Sequence, residues 1–148
     1  MRARIAQLSA KGECFYCADL VNSSVFGHQP VVHEDAKFKV VLDRFPRTRG
    51  HAIVILKEHR GDVADLTDDE AADLFRMCRR VVRAIKSALK AERVYVTTIV
   101  DGPINHVHAQ LIPRYENDQR GTARLVAPRQ PLTSGSETAA AIRAAMEA

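Results

Sequence analysis

The run His106-Val107-His108-Ala109-Gln110 sets three side chains that can donate, accept or bind a metal at alternate positions. In a strand, alternate residues share a face at about 7 Å per step, so His106, His108 and Gln110 are expected to project together. Val107, Ala109 and Leu111 then back them on the other face. A neutral imidazole is a good nucleophile near neutral pH, provided a neighbouring carbonyl fixes the tautomer that leaves one ring nitrogen bare. His108 meets that description. A second group of ligand-type residues lies in Cys14-Phe15-Tyr16-Cys17, whose spacing lets two thiolates reach one metal ion. Together with His59 and His106 they could close a tetrahedral Cys2His2 zinc site. Such a site has no open position for water, so the zinc would be structural. Two other assignments stay open at this point. His106 and His108 could jointly hold a catalytic metal, or the cysteines could be a redox dithiol, which calls for a helix starting just after Cys14. Cys78 falls on an apolar helix face and reads as core.

The elements that must position these groups follow from pattern. Val31–Glu34 and Lys37–Asp43 flank Asp35-Ala36 and predict a hairpin rich in β-branched residues. Pro46 and Gly50 interrupt the chain before an apolar strand over His51–Lys57. Thr67-Asp68-Asp69-Glu70 is a capping box that predicts a helix start. Apolar residues at Ala71, Leu74, Phe75, Cys78, Val81, Val82, Ile85 and Leu89 give that helix one stripe for a sheet. Its acids begin the helix, and Arg83, Lys86 and Lys90 lie towards its end, as the dipole favours. Val94–Val100 and Asn105–Ile112 predict two further strands, paired antiparallel around Asp101-Gly102-Pro103. Residues 121–135 read as an extended segment before an alanine-rich helix from about Glu137 to Met146. Strands in succession with one long helix on a face predict an α+β domain built on a mainly antiparallel sheet.

The whole-chain numbers agree with one compact unit of 148 residues, 46% hydrophobic and 27% charged. No apolar run approaches the ~18 to 20 residues of a membrane span, so a cytoplasmic protein without a membrane partner is expected. The net charge of +4 suits an anionic ligand. Spread over the surface it does not call for nucleic acid, and none is expected. Arg44, Arg47, Arg49 and Arg114 lie near the motif in sequence and could neutralise phosphates.

The run from Cys14 to Arg114 resembles the histidine triad (HIT) superfamily. Its carriers are His106, His108 and Gln110, Asp43 before Pro46, the Gly50-His51 pair, Lys57-Glu58-His59, and Ile112-Pro113-Arg114. The H-x-H-x-Q form is similar to the nucleotidyltransferase branch that includes galactose-1-phosphate uridylyltransferase and the diadenosine polyphosphate phosphorylases. The resemblance implies a HIT-like α+β fold of about five strands. It also implies a domain over residues 1–120, with 121–148 as an extended segment and helix of the same domain. It implies that His108 is the nucleophile forming a nucleotidyl-histidine intermediate, with Gln110 hydrogen-bonding the phosphoryl oxygens. By the same resemblance His51 is an accessory catalytic histidine and Asp43 accepts from the ribose hydroxyls. Cys14, Cys17, His59 and His106 become zinc ligands, and the chain is expected to form a homodimer. Family members usually carry a phosphate-contacting serine five positions before the nucleophile. Here that place is Pro103, with neither hydroxyl nor N–H. Gly102 and Asn105 are the expected replacements in nucleotide binding. The implied function is transfer or hydrolysis of a nucleoside monophosphate from a dinucleoside polyphosphate or nucleotide conjugate. A nucleotide-binding module without turnover, suggested by the altered turn, is the alternative.

Overall fold

The computed structural model describes residues 1–102 and 104–148; Pro103, expected to alter the phosphate-binding turn, lies outside the described residues. Helices α1 (Arg2–Ala10) and α2 (Phe15–Asn22) precede strands β1 (Val31–Glu34), β2 (Phe38–Leu42) and β3 (Ala52–Leu56). The long helix α3 (Asp68–Leu89) follows, then β4 (Arg93–Thr97), β5 (His108–Arg114), the short α4 (Thr122–Leu125) and α5 (Gly135–Glu147). The strands form one antiparallel sheet in the order β1-β2-β3-β5-β4. This is the α+β architecture expected from the sequence, with α3 on one face and a C-terminal helix beside it. No helix among the described residues is long and apolar enough to cross a membrane.

Local chemistry sets the elements. Asp35 closes the β1–β2 hairpin because its Oδ1 accepts from the backbone N–H groups of Lys37 and Phe38, both at 2.8 Å. The capping box forms as read: Glu70 N–H donates to Thr67 Oγ1 at 3.1 Å, and Thr67 N–H donates to Glu70 Oε2 at 3.0 Å. Gly50 has φ of +79°, and a Cβ there would stand 2.5 Å from Leu89 Cδ1. Only glycine lets the end of α3 press this closely on the residue before His51.

Alternation along the strands divides the core in two. Phe38, Val40, Leu42, Ala52, Val54, Leu56, Ala109 and Leu111 pack beneath α3 with Leu74, Cys78, Val81 and Ile85. Ala139 and Ile142 of α5 join the same cluster. On the opposite face, Val41, Ile53 and Ile55 meet Tyr16 of α2, with Phe15, Leu20 and Phe26 around them.

Several sequence expectations are corrected: β4 ends at Thr97 rather than Val100, and the segment 121–135, read as extended, contains α4. Phe75 is 68% exposed, and Ala71 is exposed too, while Met77 and Ala84 are buried in their stead. At 100° per residue Phe75 lies about 120° around the helix from Val81, outside the stripe. The ladder of β5 begins at His108 rather than Asn105, because the Val107 N–H donates to the Arg60 carbonyl at 2.8 Å instead of to a strand. The strand also continues through Pro113 to Arg114. Pairing with β3 ends at Leu111, so Pro113 has a partner strand on only one side, where a residue without an N–H is tolerated.

Candidate active site and metal centre

His106 lies in the extended segment just before β5, and His108 and Gln110 lie on the strand itself. Val107, Ala109 and Leu111 enter the α3-side core, so the expected alternation holds across the strand boundary. Register places Gln110 opposite Ile53 and His108 opposite Ile55, which orients both polar groups to the α2 face.

The metal-type residues converge. The ligand atoms of Cys14, Cys17, His59 and His106 all lie within 4.8 Å of one another. Individual separations are 3.4 Å for Cys14 Sγ to His106 Nδ1, 3.3 Å for Cys17 Sγ to His59 Nδ1, and 3.2 Å between the two Nδ1 atoms. Bonds of about 2.3 Å to sulfur and 2.0 to 2.1 Å to nitrogen in a tetrahedron require neighbouring ligands about 3.3 to 3.8 Å apart. The protein supplies the orientation as well: His106 Nε2 donates to the Leu56 carbonyl at 2.6 Å, which leaves its Nδ1 a bare lone pair aimed at the cluster. Two thiols and an imidazole lone pair meeting in this way fit a closed zinc site. Burial alone would raise the Cys14 thiol, yet hydrogen bonds from His106 and from the Cys17 backbone and side chain bring it down to about 6. Burial and the neighbouring Cys14 push Cys17 up to about 11.

His59 stands three residues beyond β3 and is exposed, whereas His106 is buried. Cys14 is the N-cap of α2 and accepts from the Cys17 N–H, so the helix that a redox dithiol calls for is present. The two histidines beside the thiols are what a dithiol alone does not call for.

The polar row continues from that cluster. His108 Nδ1–H donates to the His106 carbonyl at 2.7 Å, leaving Nε2 unprotonated. Burial lowers the His108 pKa below its ordinary value, against the opposing pull of that carbonyl, so the ring is neutral at pH 7. Tyr16, held between the two cysteines, lies over the His108 ring with centroids 4.7 Å apart. His51 is fully buried; it accepts from the Arg47 N–H on Nδ1 at 3.2 Å and so donates from Nε2 to Gln110 Oε1 at 3.1 Å. Gln110 therefore turns its amide N–H2 away from His51. Burial holds the His51 imidazole down to about 4, aided by Arg129 and Arg47 and opposed by Asp43 and Gln110.

Asp43 extends the β2–β3 pairing by donating its N–H to the His51 carbonyl at 2.9 Å. Its carboxylate accepts from the Phe45 N–H at 2.9 Å and from Arg129 Nη1 at 2.7 Å. A cavity of about 630 Å³ opens here, with Asp43, Gln110 and Arg129 among its polar lining and Tyr16, Phe26, Ile53 and Ile55 among its apolar walls. An apolar cleft with a few convergent polar groups is the usual form of a small-ligand site.

Some expected residues are placed elsewhere. The Gly102 N–H donates to Asn105 Oδ1 at 2.8 Å, so these two satisfy each other, and neither lines the cavity. Arg114 is buried in an ion pair with Glu92 at 2.9 Å, which removes it from phosphate binding. Arg47 donates to the Ala127 carbonyl; Arg44 does line the cavity. Sequence reasoning passed over Tyr16, Phe26 and Arg129. Tyr16 could have been read from its place between the cysteines. Phe26 depends on Asp19, whose carboxylate accepts from the Val25 and Phe26 N–H groups. Arg129 carried no local signal.

The family model for the HIT domain matches residues 28–117. An uncharacterized HIT-like protein from Mycobacterium tuberculosis is 29% identical over 118 residues, covering 75% of this chain and 78% of its own length. The adenosine 5′-monophosphoramidase of Schizosaccharomyces pombe is 31% identical over 110 residues, 73% of this chain and 78% of that protein. The crystal structure of a zinc-bound histidine triad family protein from Mycobacterium smegmatis aligns with a TM-score of 0.75 at 25% identity, covering 90% of this chain and 93% of that one.

Proposed function

The chain belongs to the HIT domain family, and from that premise we propose that it transfers or hydrolyses a nucleoside monophosphate through a covalent intermediate on His108. The observation that carries this is the His108 Nδ1–H bond to the His106 carbonyl, which leaves Nε2 bare on the face that Gln110 shares. In the first step Nε2 attacks the α-phosphorus. The bond from phosphorus to the leaving group breaks, and its electron pair goes to that group. In the second step an acceptor oxygen attacks the same phosphorus and gives its proton to solvent. His108 then leaves as the neutral imidazole. The acceptor is water, phosphate or a sugar phosphate.

The supporting residues divide the work. Gln110, oriented by His51, donates its amide N–H groups to the non-bridging oxygens. His51 is buried beneath it and acts as a positioning residue. Asp43 accepts from the ribose, and the Tyr16, Phe26 and Ile53 walls hold the base. Cys14, Cys17, His59 and His106 would hold a structural zinc. When bound, the ion fixes His106, whose carbonyl sets the His108 tautomer. A homodimer joined at the edge strand β4, where Val96 is 41% exposed and Ile99 just beyond it 57%, completes the reading.

The test is intact mass after brief mixing with adenosine 5′-phosphoramidate, diadenosine tetraphosphate or uridine diphosphate glucose, quenched in alkali. An adenylyl or uridylyl increment on the wild type and none on His108→Ala is expected. If no donor leaves an increment or releases monophosphate while nucleotide still binds, the chain is a binding module. Native mass spectrometry should show one zinc per chain, lost in His59→Ala.

A further inference from the structure

The segment after β5 returns to the site. It lies beyond the matched domain, and it is tied to the β2–β3 loop along its length. The Arg124 side chain donates to the Arg47 carbonyl and the Arg47 side chain to the Ala127 carbonyl. Further on, the Gln130 N–H donates to the Pro46 carbonyl at 2.9 Å and the Leu132 N–H to the Arg44 carbonyl at 3.1 Å. Arg129 stands between these anchors, so its backbone position is fixed from both sides. Its Nη1 reaches Asp43 Oδ2 at 2.7 Å and the Phe45 carbonyl at 2.9 Å.

The rest of this guanidinium is uncommitted. Among the described residues its hydrogen bonds all run through Nη1, and Nε and Nη2 remain as donors on a side chain that lines the cavity. Asp43, by contrast, already has a partner on each oxygen. The charge balance points the same way: three arginines, Arg2, Arg44 and Arg129, line the cavity against one carboxylate, Asp43. A nucleoside monophosphate carries a single phosphate, and the proposed chemistry commits it to His108 and Gln110. The Nε and Nη2 donors of the guanidinium, on the side away from its ion pair with Asp43, are then left without an anion.

We propose that Arg129 forms a second anion subsite, and that the preferred ligand is a nucleotide whose ribose bears a phosphate on one hydroxyl. Asp43 accepts from the remaining hydroxyl, and Arg129 Nε and Nη2 donate to the phosphate. A carboxylate selects a free hydroxyl because it can only accept. A guanidinium beside it reads a phosphate because its donors form a planar fork, the same division that separates unmodified from phosphorylated riboses in dinucleotide sites. The inference rests on the nucleotide reading of the cavity.

Calorimetric titration of the full, zinc-loaded chain with AMP, adenosine 2′,5′-bisphosphate and adenosine 3′,5′-bisphosphate tests it, at one fixed ionic strength because salt screens this contact. One bisphosphate should bind the wild type at least about ten-fold tighter than AMP, and the better isomer identifies the hydroxyl that Asp43 keeps. In Arg129→Gln that ratio should fall close to one. Arg129→Lys, which preserves the ion pair with Asp43 but not the fork, should retain part of it. If the wild type binds AMP as tightly as both bisphosphates, or if Arg129→Gln keeps the full preference, Arg129 is a strap clamp and the subsite is overturned while the nucleotide reading stands. If AMP and both bisphosphates, and UMP titrated as a control for the base, all fail to bind the wild type, both fall together.

Discussion

The two faces of the sheet are held by different physics. Under α3 a continuous apolar cluster from β1, β2, β3, β5 and α5 excludes water, and burial is what holds it. The face under α2 has a small apolar patch, Tyr16 with Val41, Ile53 and Ile55, ringed by polar groups that hold one another: the cysteines with His59 and His106, His51 with Gln110, Asp43 with Arg129. The first face tolerates apolar exchanges that keep volume, but neither lost volume nor an unpaired polar group. The second tolerates little change in chemistry, because each group there sets the tautomer or direction of the next.

Substitutions should separate the faces, and the largest effect belongs to His108. His108→Ala is expected to lower turnover at least about a thousand-fold while the thermal midpoint hardly moves, measured by steady-state assay and calorimetry on the same sample. A parallel collapse of both would mean that the polar face carries the fold. Ile85→Ala is the mirror experiment. Its side chain is fully buried beneath the sheet, and truncation should cost about 3 to 5 kcal/mol in urea unfolding, with turnover per folded molecule unchanged.

Legibility from sequence divides along the same line. Burial of the α3 face repeats with the period of the elements, so Leu74, Cys78, Val81 and Ile85 declared themselves by spacing, and the stripe was misplaced only at its edges, at Ala71 and Phe75. On the α2 face β5 keeps a period, and it does not reach the cysteines of α2. Cys14, Cys17, His106, His108 and Gln110 were legible because their types are rare and their spacing is short. Residue type and the family resemblance also joined His59 to the set, across 42 residues from Cys17, while spacing alone left a catalytic metal and a redox dithiol open. Arg129 was invisible for a stronger reason: an arginine in an irregular segment acquires its meaning only from Asp43, 86 residues away. Gly102 and Asn105 carried no signal for their mutual contact, in which an asparagine beside a turn accepts from a backbone N–H three residues away.

The pH dependence of stability should report on the polar face at intermediate size. His51 is held down to about 4 in the fold, against about 6.5 in an unfolded chain. Above pH 6.5 both states carry the neutral ring and stability is complete. As pH falls below that, the unfolded chain takes up a proton that the folded chain refuses, so stability declines by about 3 kcal/mol on approaching pH 4. Urea unfolding at several pH values, repeated on His51→Gln, checks this. An equal slope between pH 6.5 and 4 in both proteins would assign the loss to other groups.

The smallest effect tests whether the faces are independent at a place where they touch. Thr67 and Glu70 cap α3, and the Glu70 carboxylate also takes a two-nitrogen contact from Arg60, at 3.0 Å from Nε and 2.7 Å from Nη2. Arg60 follows the metal-type ligand His59, and its carbonyl accepts from the Val107 N–H between His106 and His108. Thr67→Ala removes one capping acceptor and should cost about 1 kcal/mol of stability. Glu70 and Arg60 stay paired in that variant, so the backbone at Val107 keeps its anchor and turnover should match the wild type. A fall in turnover beyond about two-fold in Thr67→Ala would show that the cap transmits to the histidine row, and the division into two faces would have to be drawn elsewhere.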